Sequence, residues 1–169
     1  MSGAPYADAV FEVAVTYLLR STDSGVEVLL GEKLTGIGRG KVVGPGGKLE
    51  PGESAVAAAV REVSEEVGLT VGEADARPIA RLEYSFPHRP EWSQASTAFV
   101  ATRWSGEPRS SRELSPVWFP IGALPLERMW ADARLWLPRA LAGEFVRGEC
   151  SYGEDNDSVA DWREIASPR

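Results

Sequence analysis

The sequence predicts an α/β domain, an α/β/α sandwich around a mixed β-sheet, and three observations carry that reading. Segments rich in Val, Leu and aromatic residues recur at strand length along the chain, separated by turns of Gly, Pro, Asn and Asp. Two segments have helical periodicity instead, one in mid-chain and one late. No repeat, low-complexity tract or linker interrupts the 169 residues, so residues 1–169 are expected to form one domain.

Taken in order, residues 1–8 read as a loose start, and Val10 to Leu19 reads as a strand. The turn Thr22-Asp23-Ser24-Gly25 leads to a second strand, Val26 to Leu30, antiparallel to the first. Gly36, Gly38 and Gly40 mark a flexible loop. No helix opens directly after them, so they are not a dinucleotide-binding fingerprint. Lys41 to Val43 is a short strand entering a Gly- and Pro-rich loop, Gly44 to Gly52. A helix is expected from about Ser54, its N-cap, to Val67, with Gly68 as a left-handed cap. Strands follow at Arg77 to Phe86 and Ala95 to Trp104, on either side of a Pro-rich loop reaching Glu91. Pro116 to Phe119 is short and apolar. Met129 to Leu141 reads as a helix tightened near Pro138 and stopped at Gly143. Phe145 to Tyr152 and Val159 to Ile165 read as strands joined by the acidic turn from Gly153 to Asp157.

The mid-chain helix has two faces. Val56, Val60, Val63 and Val67 recur at spacings of four and three and form an apolar stripe. Glu62, Glu65 and Glu66 share one arc, roughly a third of a turn away. Like charges at this spacing repel, and a hard divalent cation such as Mg²⁺ or Mn²⁺, which prefers oxygen ligands, relieves the repulsion. Arg61, four residues before Glu65, can hold that carboxylate in place. Taken alone, the glutamates read more simply as a solvated acidic face.

The complete pattern narrows the choice. Gly47 is followed six residues later by Glu53, then eight residues on by Arg61-Glu62-Val63, Glu65-Glu66 and Gly68-Leu69. This resembles the full signature of the Nudix (MutT-like) hydrolases, G-x5-E-x7-R-E-U-x-E-E-x-G-U with U apolar, with no fixed position missing. The resemblance implies the Nudix fold and hydrolysis of a nucleoside diphosphate linked to another group, with Mg²⁺ or Mn²⁺ as cofactor. It implies Glu62 and Glu66 as the main metal ligands, Glu65 beside them, the backbone carbonyl of Gly46 as a further ligand, and Glu113 as an acidic residue reaching the metal and orienting water. It gives Glu53 and Arg61 the task of fixing the catalytic loop against the helix. Gly46 and Gly47 let the backbone approach metal and phosphate closely.

Outside the box the likeness is to the oxidised purine nucleoside triphosphatases, the MutT-like enzymes that clear 8-oxo-dGTP and 2-hydroxy-dATP to monophosphate and pyrophosphate. It is carried by GEKLTGIGRGKVVGPGGK, SPVWFPIGALPLERMWADARLWLP and DSVADWREI. In that group the residue matching Trp130 stacks on the purine and the one matching Asp132 hydrogen-bonds its edge. Asp132 could do so as the protonated acid if burial raises its pKa. From the residues alone, Trp130 also reads as a core residue of an amphipathic helix, like Trp104, Trp118 and Trp136. Lys33 matches a lysine on the pocket rim, and Gly47 and Lys48 join it as expected substrate-binding residues. Three positions depart from the group. Val43 stands where an asparagine contacts the base, Ala133 where a second aspartate follows the first, and Ile37 where an aromatic residue lines the pocket.

Charge and composition exclude other classes. A net charge of -7 argues against a partner such as long nucleic acid, which calls for a basic stripe, but not against a small nucleotide carried with a metal. The single cysteine, Cys150, allows no intrachain disulfide, so a cytoplasmic protein is expected, and no apolar run is long enough for a signal peptide or membrane span. Cys150 is expected to pack in a strand, and the single histidine, His88, to lie in a surface turn. A monomer is expected. Two rival readings stand beside sanitation of oxidised purines. One is another Nudix substrate: a dinucleoside polyphosphate, ADP-ribose or an ordinary nucleotide such as dCTP. Tyr84, 15 residues after the box, falls near a tyrosine of diadenosine polyphosphate hydrolases. The other is a non-catalytic nucleotide-binding module, against which the intact box glutamates argue.

Overall fold

The computed structural model describes residues 11–166; the expected loose start at residues 1–8 lies outside them. Among the described residues the chain forms strands β1 (Phe11–Thr22), β2 (Gly25–Lys33), β3 (Val42–Val43) and β4 (Gly46–Lys48), then helix α1 (Ala55–Val67). Strands β5 (Arg77–Ser85), β6 (Gln94–Ala101) and β7 (Leu114–Pro120) come next, then helix α2 (Ala133–Leu141), β8 (Val146–Tyr152) and β9 (Val159–Glu164).

The sheet is mixed, with the order β3-β2-β1-β6-β5-β8-β9. Strand β1 is its spine. One edge of β1 runs parallel to β6, from Phe11 opposite Gln94 to Leu18 opposite Ala101. The other edge is divided, antiparallel to β4 over Val13–Val15 and to β2 over Leu18–Thr22. Strand β7 extends the β2 edge. Between Val15 and Leu18, where β1 changes partner from β4 to β2, the sheet opens, and Val15, Tyr17 and Gly46 beside this opening line a cleft.

Burial on both faces explains why β1 and β2 read as near-continuous apolar runs. Side chains alternate with a period of two. Ala14 and Leu18 of β1, with Leu29 of β2, pack against Ala58, Ala59, Val63 and Val67 of α1. Tyr17 of β1, with Val28 and Leu30 of β2, packs against Ala133, Trp136, Leu137 and Ala140 of α2. The helices thus cover opposite faces, giving the α/β/α sandwich.

Both ends of α1 lie as the sequence predicts. The Ser54 side chain accepts a hydrogen bond from the Ala57 amide, and Gly68 takes φ 73° while its N–H bonds the Ser64 carbonyl. Its apolar face is broader than the valine stripe. Val63 and Val67 are buried together with Ala58 and Ala59, and half-buried Val56 and Val60 pack against this cluster.

Three other expectations change. The Gly- and Pro-rich loop contains strand β4, because a Gly-Gly step lets the backbone lie against β1. A Cβ on Gly46 would collide with the Ala14 carbonyl oxygen. The late helix begins at Ala133, not Met129. A 3₁₀ turn occupies Leu126–Arg128, and hydrogen bonds from elsewhere in the chain hold the Asp132 carboxylate, so it does not cap the helix. The short apolar stretch at Pro116 is part of a longer strand that starts at Leu114 and pairs along β2.

Candidate active site

Arg61 ties the Gly- and Pro-rich loop to α1. Its Nε and Nη2 donate to the two oxygens of Glu53, each at 2.8 Å, in a fork that only a guanidinium supplies. Nη2 also bonds the Lys48 carbonyl at 3.1 Å, and Nη1 bonds Glu62 at 2.9 Å and Glu65 at 3.2 Å. Glu53 in turn accepts the Glu50 amide at 3.0 Å. These bonds to its charged form, the Arg61 fork first, hold the Glu53 carboxyl down at about 2.

This arrangement sorts the box glutamates. Glu62 and Glu66 are buried on the sheet side of α1, whereas Glu65 is exposed and paired with Arg61. Glu113, immediately before β7, brings its carboxylate to the buried pair, and oxygens of Glu62, Glu66 and Glu113 lie within 4.8 Å of one another. Burial, then the charges of Glu62 and Glu113, push Glu66 up to about 8. Burial also raises Glu62, against the pull of Arg61. Three hard oxygen donors converging at the mouth of a cleft fit a divalent cation, which would relieve the repulsion that raises Glu66. Gly47 faces them so closely that a Cβ there would meet the Glu62 carboxylate at 2.5 Å. Lys33, at the end of β2, faces the same carboxylates, and its desolvation lowers its ammonium.

The cleft holds about 480 Å³. Glu62, Glu66, Glu113, Lys33, Gly46 and Gly47 line its acidic end, with Lys48 at the mouth over the Phe11 ring at 4.2 Å. Val43, the last residue of β3, also lines it. The opposite end is aromatic. Trp130 meets Phe86, Trp92 and Tyr152 edge-to-face at centroid distances of 5.9, 6.4 and 5.5 Å. The Lys41 ammonium lies 4.9 Å from the indole centroid. Trp130 precedes α2, and Trp136 is the tryptophan of this region that joins the core.

Asp132 lies beside Trp130 and is only 3 % exposed. Its Oδ2 accepts from the Tyr84 hydroxyl at 2.6 Å and Trp136 Nε1 at 2.8 Å, and its Oδ1 accepts from the Tyr152 hydroxyl at 2.5 Å. Burial, then the Asp132 charge, push both phenols well above their ordinary range, so they stay donors. The sequence held no local signal for this group, because its members come from β5, β8 and α2. In the sequence Tyr84 only matches the position of a tyrosine in diadenosine polyphosphate hydrolases; in the fold its hydroxyl donates to Asp132. Cys150 is fully buried beneath the aromatic cluster, and burial raises its thiol, as suits a packing residue. His88 lies in an exposed turn.

A carboxylate cluster and an aromatic, hydrogen-bonding slot thus line one cleft. The NUDIX domain family model matches residues 10–140, and the chain belongs to this family. It is similar to an oxidized purine nucleoside triphosphate hydrolase from Danio rerio, with 42% identity over 114 residues, covering 68% of this chain and 71% of the relative. A protein of the same description from Mus musculus is 32% identical over 142 residues, covering 83% of this chain and 88% of the relative. Among solved structures, a MutT protein from Bacillus halodurans superposes with a TM-score of 0.76 at 24% identity, over 94% of this chain and all of that one. Among the described residues no helix is long and apolar enough to cross a membrane.

Proposed function

We propose that this chain hydrolyses oxidised purine nucleoside triphosphates such as 8-oxo-dGTP to monophosphate and pyrophosphate, as a sanitiser of the nucleotide pool. The observation that carries this reading is the continuity of the cleft from the Glu62–Glu66–Glu113 carboxylates to Trp130 and Asp132. The names of the 42% and 32% identical relatives support the same substrate class.

Glu62, Glu66 and Glu113 would hold Mg²⁺ or Mn²⁺, with the Gly46 carbonyl as a further expected ligand and Glu65 at the rim. The cation, when bound, neutralises the polyphosphate oxygens and activates water for attack. The chain's own residues do the rest. The Arg61–Glu53 fork keeps Gly47 and Lys48 against α1, so phosphate can approach bare backbone. Lys33 places a cation beside the carboxylates, where the triphosphate charge concentrates. Trp130 gives a flat face for the base, a contact of about 1–3 kcal/mol by analogy with base stacking on aromatics elsewhere. Val43 presents methyl groups to the base, so selectivity rests on the Trp130 end. We further read residues 1–169 as one monomeric, cytoplasmic catalytic domain.

The test is release of pyrophosphate and phosphate with Mg²⁺ from 8-oxo-dGTP, 2-hydroxy-dATP, dGTP, dCTP, diadenosine tetraphosphate and ADP-ribose. Preference for an oxidised purine supports the proposal. Preference for a dinucleotide or ADP-ribose sinks the substrate assignment while keeping the hydrolytic box.

A further inference from the structure

Asp132 stands among donors. The Trp136 indole N–H can only donate. The Tyr152 hydroxyl receives the Asp132 backbone N–H at 3.3 Å and gives its one proton to Oδ1. The Tyr84 hydroxyl gives its proton to Oδ2. A carboxylate oxygen accepts about two hydrogen bonds. Oδ2 is therefore filled by Tyr84 and Trp136, and Oδ1 keeps one acceptor position. Both tyrosines and Asp132 line the cleft next to Trp130, and the following residue, Ala133, is buried without a polar group.

We infer that Tyr84 and Tyr152 are positioning residues that fix Asp132 as an acceptor, so that the purine end of the cleft selects bases presenting an N–H donor to Oδ1. The inference rests on the purine reading of the site and deepens it. Two strands and a helix hold the carboxylate from three directions, so it cannot turn to offer a different edge. A guanine-type ring, with N1–H and a 2-amino group, satisfies the open position. An unsubstituted purine ring has only acceptors and C–H groups there and leaves a buried acceptor unpaired, which is how hydrogen-bonding sites reject analogues strongly. Without the hydroxyls the carboxylate can rotate, and discrimination declines even though Asp132 and Trp130 remain.

The test is calorimetric binding, without metal, of dGMP and of purine deoxyribonucleoside 5′-monophosphate to the full chain and to Tyr84→Phe, Tyr152→Phe and the double variant. The wild type is expected to prefer dGMP by about tenfold or more, one hydrogen bond to a charged group. Each single variant narrows that ratio, and the double variant brings it within about threefold, mainly by weakening dGMP. With the triphosphate substrate, KM rises more than kcat falls. If the double variant does not fold, the single variants decide. A wild-type preference retained unchanged in the tyrosine variants overturns the positioning role and leaves the purine reading standing. Equal wild-type affinities overturn the acceptor role of Asp132. No binding of either monophosphate overturns the purine reading and this inference with it.

Discussion

At the scale of single residues, the buried pair Glu62 and Glu66 is a functional liability in the metal-free protein. Glu66→Gln removes a carboxyl that desolvation and repulsion push up to about 8, so that above about 4.5 the fold must either take up a proton there or bury a repelled charge. The variant is expected to melt at a higher temperature than wild type without metal, yet to lose more than about a hundredfold in Mg²⁺-dependent turnover, since even an outer partner of a metal ligand costs up to that much. Paired melting curves and rates check both halves; unchanged turnover sinks the assigned role. Trp130→Ala is expected to raise KM by about tenfold or more, as lost stacking implies, with a smaller effect on kcat. Glu62 and Glu66 were legible as a pair because they repeat at helical spacing within one box, whereas Glu113 joins them only through the fold. The tyrosines were not, since Tyr84, Asp132 and Tyr152 meet only through the pairing of β5 with β8.

At the scale of elements, α1 and its loop act as one unit through Arg61. Arg61→Lys keeps the charge but loses the fork to Glu53 and the bond to the Lys48 carbonyl. The pH dependence has a definite sign. Glu53 is held at about 2 against an ordinary 4.5, so its contribution to stability is present above about 4.5 and is lost as pH falls through about 2. The stability gap between wild type and Arg61→Lys is therefore expected to be largest near neutral pH and to close on acidification, read from denaturant melts across that range. Both caps of α1 could be assigned in advance because capping is local chemistry. The start of α2 could not, because periodicity from Met129 suggested helix while contacts from distant strands claim Asp132. Strand β4 was hidden for a similar reason: glycines signal a loop by propensity, but here they permit close approach to β1.

At the scale of the whole molecule, the α/β/α layering was visible in the runs of β1 and β2, whereas the opening between β2 and β4 depends on pairing that no local pattern records. That opening places the acidic and aromatic ends in one cleft, and metal binding should stabilise the entire fold. Glu66 is raised from 4.5 to about 8, so its share of metal-free stability is complete below about 4.5 and lost as pH rises through about 8. Mg²⁺ held by Glu66 would compete with that proton. The rise in Tm on adding Mg²⁺ is therefore expected to be larger at pH 8.5 than at pH 6; a shift that is flat or falls with pH removes Glu66 from the metal site. The two ends of the cleft also differ in how much chain they need. Glu62 and Glu66 are neighbours on one helical turn, but the aromatic end gathers residues from β5, the approach to α2 and β8. Loop closure makes such distant partners meet late. A growing chain can thus bring Glu62 and Glu66 together when α1 has formed, but it completes the hydrogen-bonded group around Asp132 only after Tyr152, the last of these residues along the chain, has joined the sheet.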